Sequence, residues 1–125
     1  MNLVLDAGAL IAIERNDRRV AALIELGRRS SARLITVAPV VGQVWRDGAR
    51  QARLSRYLPM IDVRPVDLED AKEAGGLLAL TNIVDVVDAL VALAALPGDQ
   101  VLTSDPDDLL QLTRARGIGA VVVLV

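Results

Sequence analysis

Histidine, cysteine and phenylalanine are all missing from this chain of 125 residues, and Trp45 and Tyr57 are its only aromatics. Without cysteine there are no disulfides and no thiolate chemistry, and without imidazole as well the usual donors of zinc sites are gone. Any metal bound here must be held by oxygen, the donor that suits hard cations such as Mg²⁺ or Mn²⁺. Two aromatic rings are too few to build the stacking surfaces on which single-stranded bases commonly rest. Lysine is reduced to Lys72, so thirteen of the fourteen basic residues are arginine, whose planar fork suits bidentate contact with phosphate or carboxylate. Sixteen acids bring the net charge to −2, which excludes a general polyanion binder.

What the chain has in quantity is aliphatic side chain. At 53% hydrophobic content, residues 1–125 can bury one real core, built from Leu, Val, Ile and Ala, and leave no room for a second domain. The N-terminus reads as a strand and not as a signal peptide, since it lacks a basic segment and Asp6 interrupts its apolar run. With the absence of cysteine, this leads us to expect a cytoplasmic protein. The one membrane-like stretch, Gly76 to Leu96, carries Asp85 and Asp88 near its centre, and each would cost roughly 2.5 to 3.5 kcal/mol at mid-bilayer. No membrane span is expected.

Short apolar runs alternate with helical periodicities. Strands are predicted at Asn2 to Leu5, Leu34 to Ala38, Ile61 to Val66, Gln100 to Thr103 and Val121 to Val125. Between them lie helices over Ala7 to Glu14, from Asp17 to Arg29, from Pro39 through Trp45, to about Leu58, after Asp67, over Val84 to Leu96, and from Pro106 to Arg116. The strands are continuously apolar instead of alternating, the pattern of a sheet buried on both faces. The expected fold is α/β, with a central, mostly parallel sheet of about five strands and helices on both sides.

Against that background the placement of aspartate stands out. Asp6 follows LVL, Asp85 and Asp88 lie in NIVDVVDALVALAAL, and Asp105 follows VLTS. Ionised carboxylates among apolar neighbours are costly unless they are hydrogen-bonded, paired or bound to a cation. In open parallel sheets ligands bind outside the carboxyl ends of the strands, where Asp6 and Asp105 fall; Asp85 and Asp88 share one face of a helix start. Each of Asp6, Asp85 and Asp105 also fits an N-cap, whereas Asp88 lies inside its helix and fits capping worst. Asp107 and Asp108 read as first-turn negative charge complementing a helix dipole. Arg46, Arg50, Arg53 and Arg56 recur at three- and four-residue intervals, forming one basic stripe for phosphate if the helix runs through Gly48.

Four segments together, VLDAGALIAI, PVVGQVWRDGARQ, DVVDALVALAA and VLTSDPDDL, resemble PIN-domain ribonucleases, and look most like the VapC-type toxins of bacterial toxin–antitoxin pairs. The resemblance covers essentially the whole chain in the family's order. It implies a single PIN-like domain with a Mg²⁺ site, Mn²⁺ substituting, that hydrolyses RNA phosphodiesters, tRNA or rRNA being the expected substrates. It further implies a homodimer and a cognate antitoxin that covers the site. By motif, Asp6, Asp88 and Asp105 carry over as metal-binding acids, with Asp85 an extra ligand or a supporting partner. The family's usual glutamate falls at Gln43, which removes one negative charge, so weakened metal binding and activity are expected. The alternative is a PIN-like module that binds RNA or antitoxin without cleaving. A haloacid-dehalogenase-like phosphatase fits poorly because Gly8 stands where its second aspartate belongs, and a response-regulator receiver because the only lysine is Lys72.

Overall fold

The computed structural model describes residues 1–125. Five strands form one all-parallel sheet: β1 (Asn2–Leu5), β2 (Arg33–Val37), β3 (Ile61–Arg64), β4 (Gln100–Thr103) and β5 (Val121–Leu124), in the order β3-β2-β1-β4-β5. Seven α-helices connect them: α1 (Ala7–Glu14), α2 (Arg18–Arg29), α3 (Ala38–Val44), α4 (Ala52–Tyr57), α5 (Leu68–Ala79), α6 (Val86–Ala94) and α7 (Pro106–Ala115). This is the expected α/β architecture, consistent with a single PIN-like domain. Consecutive residues Leu3, Val4 and Leu5 of central β1 are all buried, so both faces of the sheet are covered, and a single apolar core of 28 buried residues runs through the molecule. No helix is long and apolar enough to cross a membrane.

The chain builds outward from β1 to β2 and β3, then returns to place β4 on the other side of β1. That reversal opens the crevice at the carboxyl ends of β1 and β4 where doubly wound sheets hold ligands. At the opposite end, buried Asp99 ties the strands together by accepting from the Asn2 N–H at 2.7 Å, the Asn2 amide at 3.2 Å and the Leu96 N–H at 2.8 Å.

Capping sets most helix starts. Asp17 accepts from the Val20 N–H at 3.0 Å, and Asp67 and Asp70 form a reciprocal capping box at the head of α5. The helix expected from Val84 instead starts at Val86, because the Asp85 carboxylate accepts the Val87 and Asp88 N–H groups. It ends at Ala94, two residues short of the expected Leu96; the Arg116 guanidinium takes the Ala92 and Ala95 carbonyls there.

The largest departure lies after α3. The helix does not continue through Gly48; it stops at Val44, where the Gln51 amide donates to the Val44 carbonyl at 2.8 Å and accepts from the Arg46 and Asp47 N–H groups. Arg46 adds donations to the Gly42 and Trp45 carbonyls, the acceptors a helix end leaves free. The basic stripe is therefore broken: Arg46 and Arg50 lie in a loop, Arg53 and Arg56 on the separate helix α4.

Gly8 brings α1 against the turn after β4. A Cβ placed there would sit 2.6 Å from the Ser104 hydroxyl oxygen and 2.9 Å from the Ser104 backbone nitrogen, closer than real Cβ atoms approach. Glycine to alanine inside a helix ordinarily gains about 0.5 to 1 kcal/mol. Here Gly8→Ala is expected to lose about 1 to 3 kcal/mol through overpacking against backbone. Thermal denaturation decides it: the melting temperature should fall by roughly 5 to 15 °C, and a rise would rule out the close approach.

Candidate metal centre

Asp6 is the first residue beyond β1 and Asp105 the second beyond β4, so they flank the crevice between adjacent strands. Asp6 is buried, and its carboxylate accepts the Ala7 N–H at 2.7 Å and the Thr103 hydroxyl at 2.8 Å. The same Thr103 hydroxyl accepts the Asp105 N–H at 2.9 Å. One fully buried threonine thus links the two loops across the crevice. Asp105 occupies the N-cap position of α7 but makes no side-chain capping bond, and Asp108 follows one turn later on the same face. From α6, Asp88 reaches the same place: carboxylate oxygens of Asp88, Asp105 and Asp108 lie within 4.8 Å of one another.

The electrostatics are those of like charges without a partner. Asp88 is pushed up from 3.8 to about 7, first by burial and then by repulsion from Asp6, Asp85, Asp105 and Asp108. Asp108 is also raised, by partial burial, a hydrogen bond with the Asp105 carboxyl, and repulsion from Asp105, Asp107 and Asp85. No arginine or lysine answers them: the ion pairs join Arg29 to Glu25, Arg33 and Arg64 to Asp62, Arg50 to Asp47, and Lys72 to Glu69. A bound cation would balance this charge. Three carboxylate oxygens within 4.8 Å of one another are close enough to converge on a single ion. The three acidic side chains can hold a metal ion, and the all-oxygen donor set fits one.

Of the expected ligands, Asp88 and Asp105 belong to this cluster. Asp6 sits close enough to raise the Asp88 pKa, but its oxygens are engaged by Ala7 and Thr103, and the third member is Asp108. From the sequence Asp108 reads as first-turn charge for the helix dipole, and it does lie in that turn; its three-residue spacing from Asp105, the same spacing that links Asp85 and Asp88, is the signal for a shared site. Asp85 caps α6 and contributes to the field on Asp88. Gln43 is exposed on α3, with no hydrogen bond from its amide to the protein. Among the arginines singled out for RNA, Arg46 is engaged with backbone carbonyls, Arg53 with the Glu14 carbonyl at 3.3 Å, and Arg50 stands 3.9 Å from Asp47. No protein-family model matches the chain, and no curated protein matches it significantly.

Proposed function

We propose that this protein is a Mg²⁺-dependent endoribonuclease, Mn²⁺ substituting, that hydrolyses RNA phosphodiester bonds to a 3′ hydroxyl and a 5′ phosphate. The observation that carries the reading is the cluster of Asp88, Asp105 and Asp108 in the crevice of a parallel sheet, with a raised Asp88 pKa and no basic partner. The motif resemblance to VapC-type toxins supports the same reading, and with it a cognate antitoxin and a homodimer as partners. When bound, a hard divalent ion supplies a nucleophilic water and neutralises charge on the phosphate, chemistry that histidine-free sites need. Asp88, Asp105 and Asp108 hold that ion. Asp6, fixed by the Thr103 hydroxyl, sets the negative field at the base of the site, and Thr103 keeps the Asp105 turn in register with it.

Gln43 favours a second reading, a module that binds RNA or antitoxin without cleaving, because a neutral amide stands where the resemblance calls for a glutamate. Both are tested by cleavage of pooled tRNA and rRNA with Mn²⁺ or Mg²⁺, for the protein and for Gln43→Glu in parallel. Expected are cleavage that EDTA abolishes and a gain of at least about tenfold from the added carboxylate, the order of a general electrostatic contribution to catalysis. Cleavage undiminished in excess EDTA overturns the metal mechanism, and silence from both proteins favours the binding module.

A further inference from the structure

Where Gly8 lies against Ser104, a groove of about 370 Å³ opens, its remaining walls formed by Ile11, Ala12, Arg15, Asp17 and Val125. It adjoins the site through the chain itself, since Ser104 immediately precedes Asp105 and Gly8 is two residues beyond Asp6. The donors around it are unused. The Gly8 N–H, in the first turn of α1, has no acceptor; Ala7, Ala9 and Leu10 all have theirs from Asp6. The hydroxyl engaged in the β4–α7 turn is that of Thr103, which leaves Ser104 free and exposed. Arg15 is exposed and forms no ion pair, and no side-chain hydrogen bond holds it. The one acidic side chain in the lining, Asp17, is engaged at the head of α2 by the Val20 N–H at 3.0 Å.

A guanidinium, a hydroxyl and a helix N-terminal N–H around one groove are the donor set of a phosphate site. An acidic centre needs such a site close by, because its own charge repels a polyanion and Arg46 and Arg53 are spent on backbone carbonyls. We propose that the groove is a subsite for a backbone phosphate of the RNA strand, adjacent to the phosphate at the acidic cluster, with Arg15 as its charged contact and Gly8 and Ser104 as further donors. The substrate class rests on the ribonuclease reading above; the anion site does not.

The test is fluorescence anisotropy of a labelled single-stranded oligouridylate with Ca²⁺ present, over a series of salt concentrations. Arg15→Ala should weaken binding about tenfold and lower the slope of log affinity against log salt by about 0.7. Arg15→Lys should keep the slope, and Ser104→Asp should weaken binding by placing like charge in the groove. Arg28→Ala, at the other end of α2, should change neither. An unchanged slope in Arg15→Ala, an equal loss in Arg28→Ala, or no measurable RNA binding by the parent protein overturns the subsite. Cleavage with Mn²⁺ separates the two readings. A cleaving parent with an unchanged Arg15→Ala slope keeps the nuclease and removes the subsite, whereas a changed slope in a protein that never cleaves keeps the subsite and removes the nuclease.

Discussion

Replacing Asp88 by asparagine should yield a protein that melts higher than its parent in EDTA and has lost its RNA cleavage by at least about a hundredfold, the scale of removing a metal's charged ligand. The two effects have one cause. The Asp88 carboxylate is buried among Asp6, Asp85, Asp105 and Asp108 with no basic partner, so its charge opposes folding unless a cation is present. Asparagine keeps the shape and removes the charge, and the metal-free protein should gain about 1 to 2 kcal/mol at pH 8. Differential scanning fluorimetry in EDTA and with Mn²⁺ reads both sides. The parent should gain stability from Mn²⁺ and the variant should not. A variant less stable than its parent in EDTA would make Asp88 a structural residue and not a metal ligand.

Asp99 shows why burial alone does not mark such a site. It is as deeply buried as Asp6, yet it receives three donated hydrogen bonds from Asn2 and Leu96, which is how a structural carboxylate is accommodated. Nothing in the sequence LPGDQV separates Asp99 from the catalytic candidates; the distinction comes from which N–H groups the fold delivers to it. The same limit explains Asp108. Its spacing from Asp105 was legible, but whether a first-turn acid serves the helix or a neighbour depends on α6 arriving beside α7, a contact between elements distant in the chain.

The architecture itself was legible because its signals are local. Short runs rich in Val and Leu with an aspartate just beyond them announced β1 and β4, and Asp17 and Asp67 announced α2 and α5 one residue ahead of their starts. Where a long-range side chain decides, periodicity is silent: Gln51 reaches back seven residues to the Val44 carbonyl and ends α3 before Gly48, so the condition for one basic stripe is not met. The loss of the basic stripe follows from that one amide. With Arg46 and Arg53 engaged on backbone carbonyls, the side chains left for phosphate contact include Arg15.

The pH dependence of the site should run opposite to that of ordinary carboxylates. Asp88 rises from 3.8 to about 7 on folding, so the folded state holds the proton more tightly than the unfolded chain. Its favourable contribution to stability is complete below the unfolded value of 3.8 and is lost as pH climbs through about 7. In EDTA, this site makes the protein less stable at pH 8 than at pH 5, whereas a salt-bridged aspartate would do the reverse. Cation binding requires the deprotonated carboxylate, and below about pH 7 it must displace a proton. The apparent Mn²⁺ dissociation constant should therefore fall about tenfold per pH unit up to that point and level off above it. Calorimetric titration with Mn²⁺ between pH 5.5 and 8.5 measures this directly. The stabilisation by Mn²⁺ should widen over the same interval, and Asp88→Asn should flatten both curves. An affinity that is level from pH 5.5 upward would return Asp88 to the ordinary carboxylate range. The burial and the four neighbouring acids would then have to be relieved by a rearrangement of α6 against α7, and the three-carboxylate geometry would go with them.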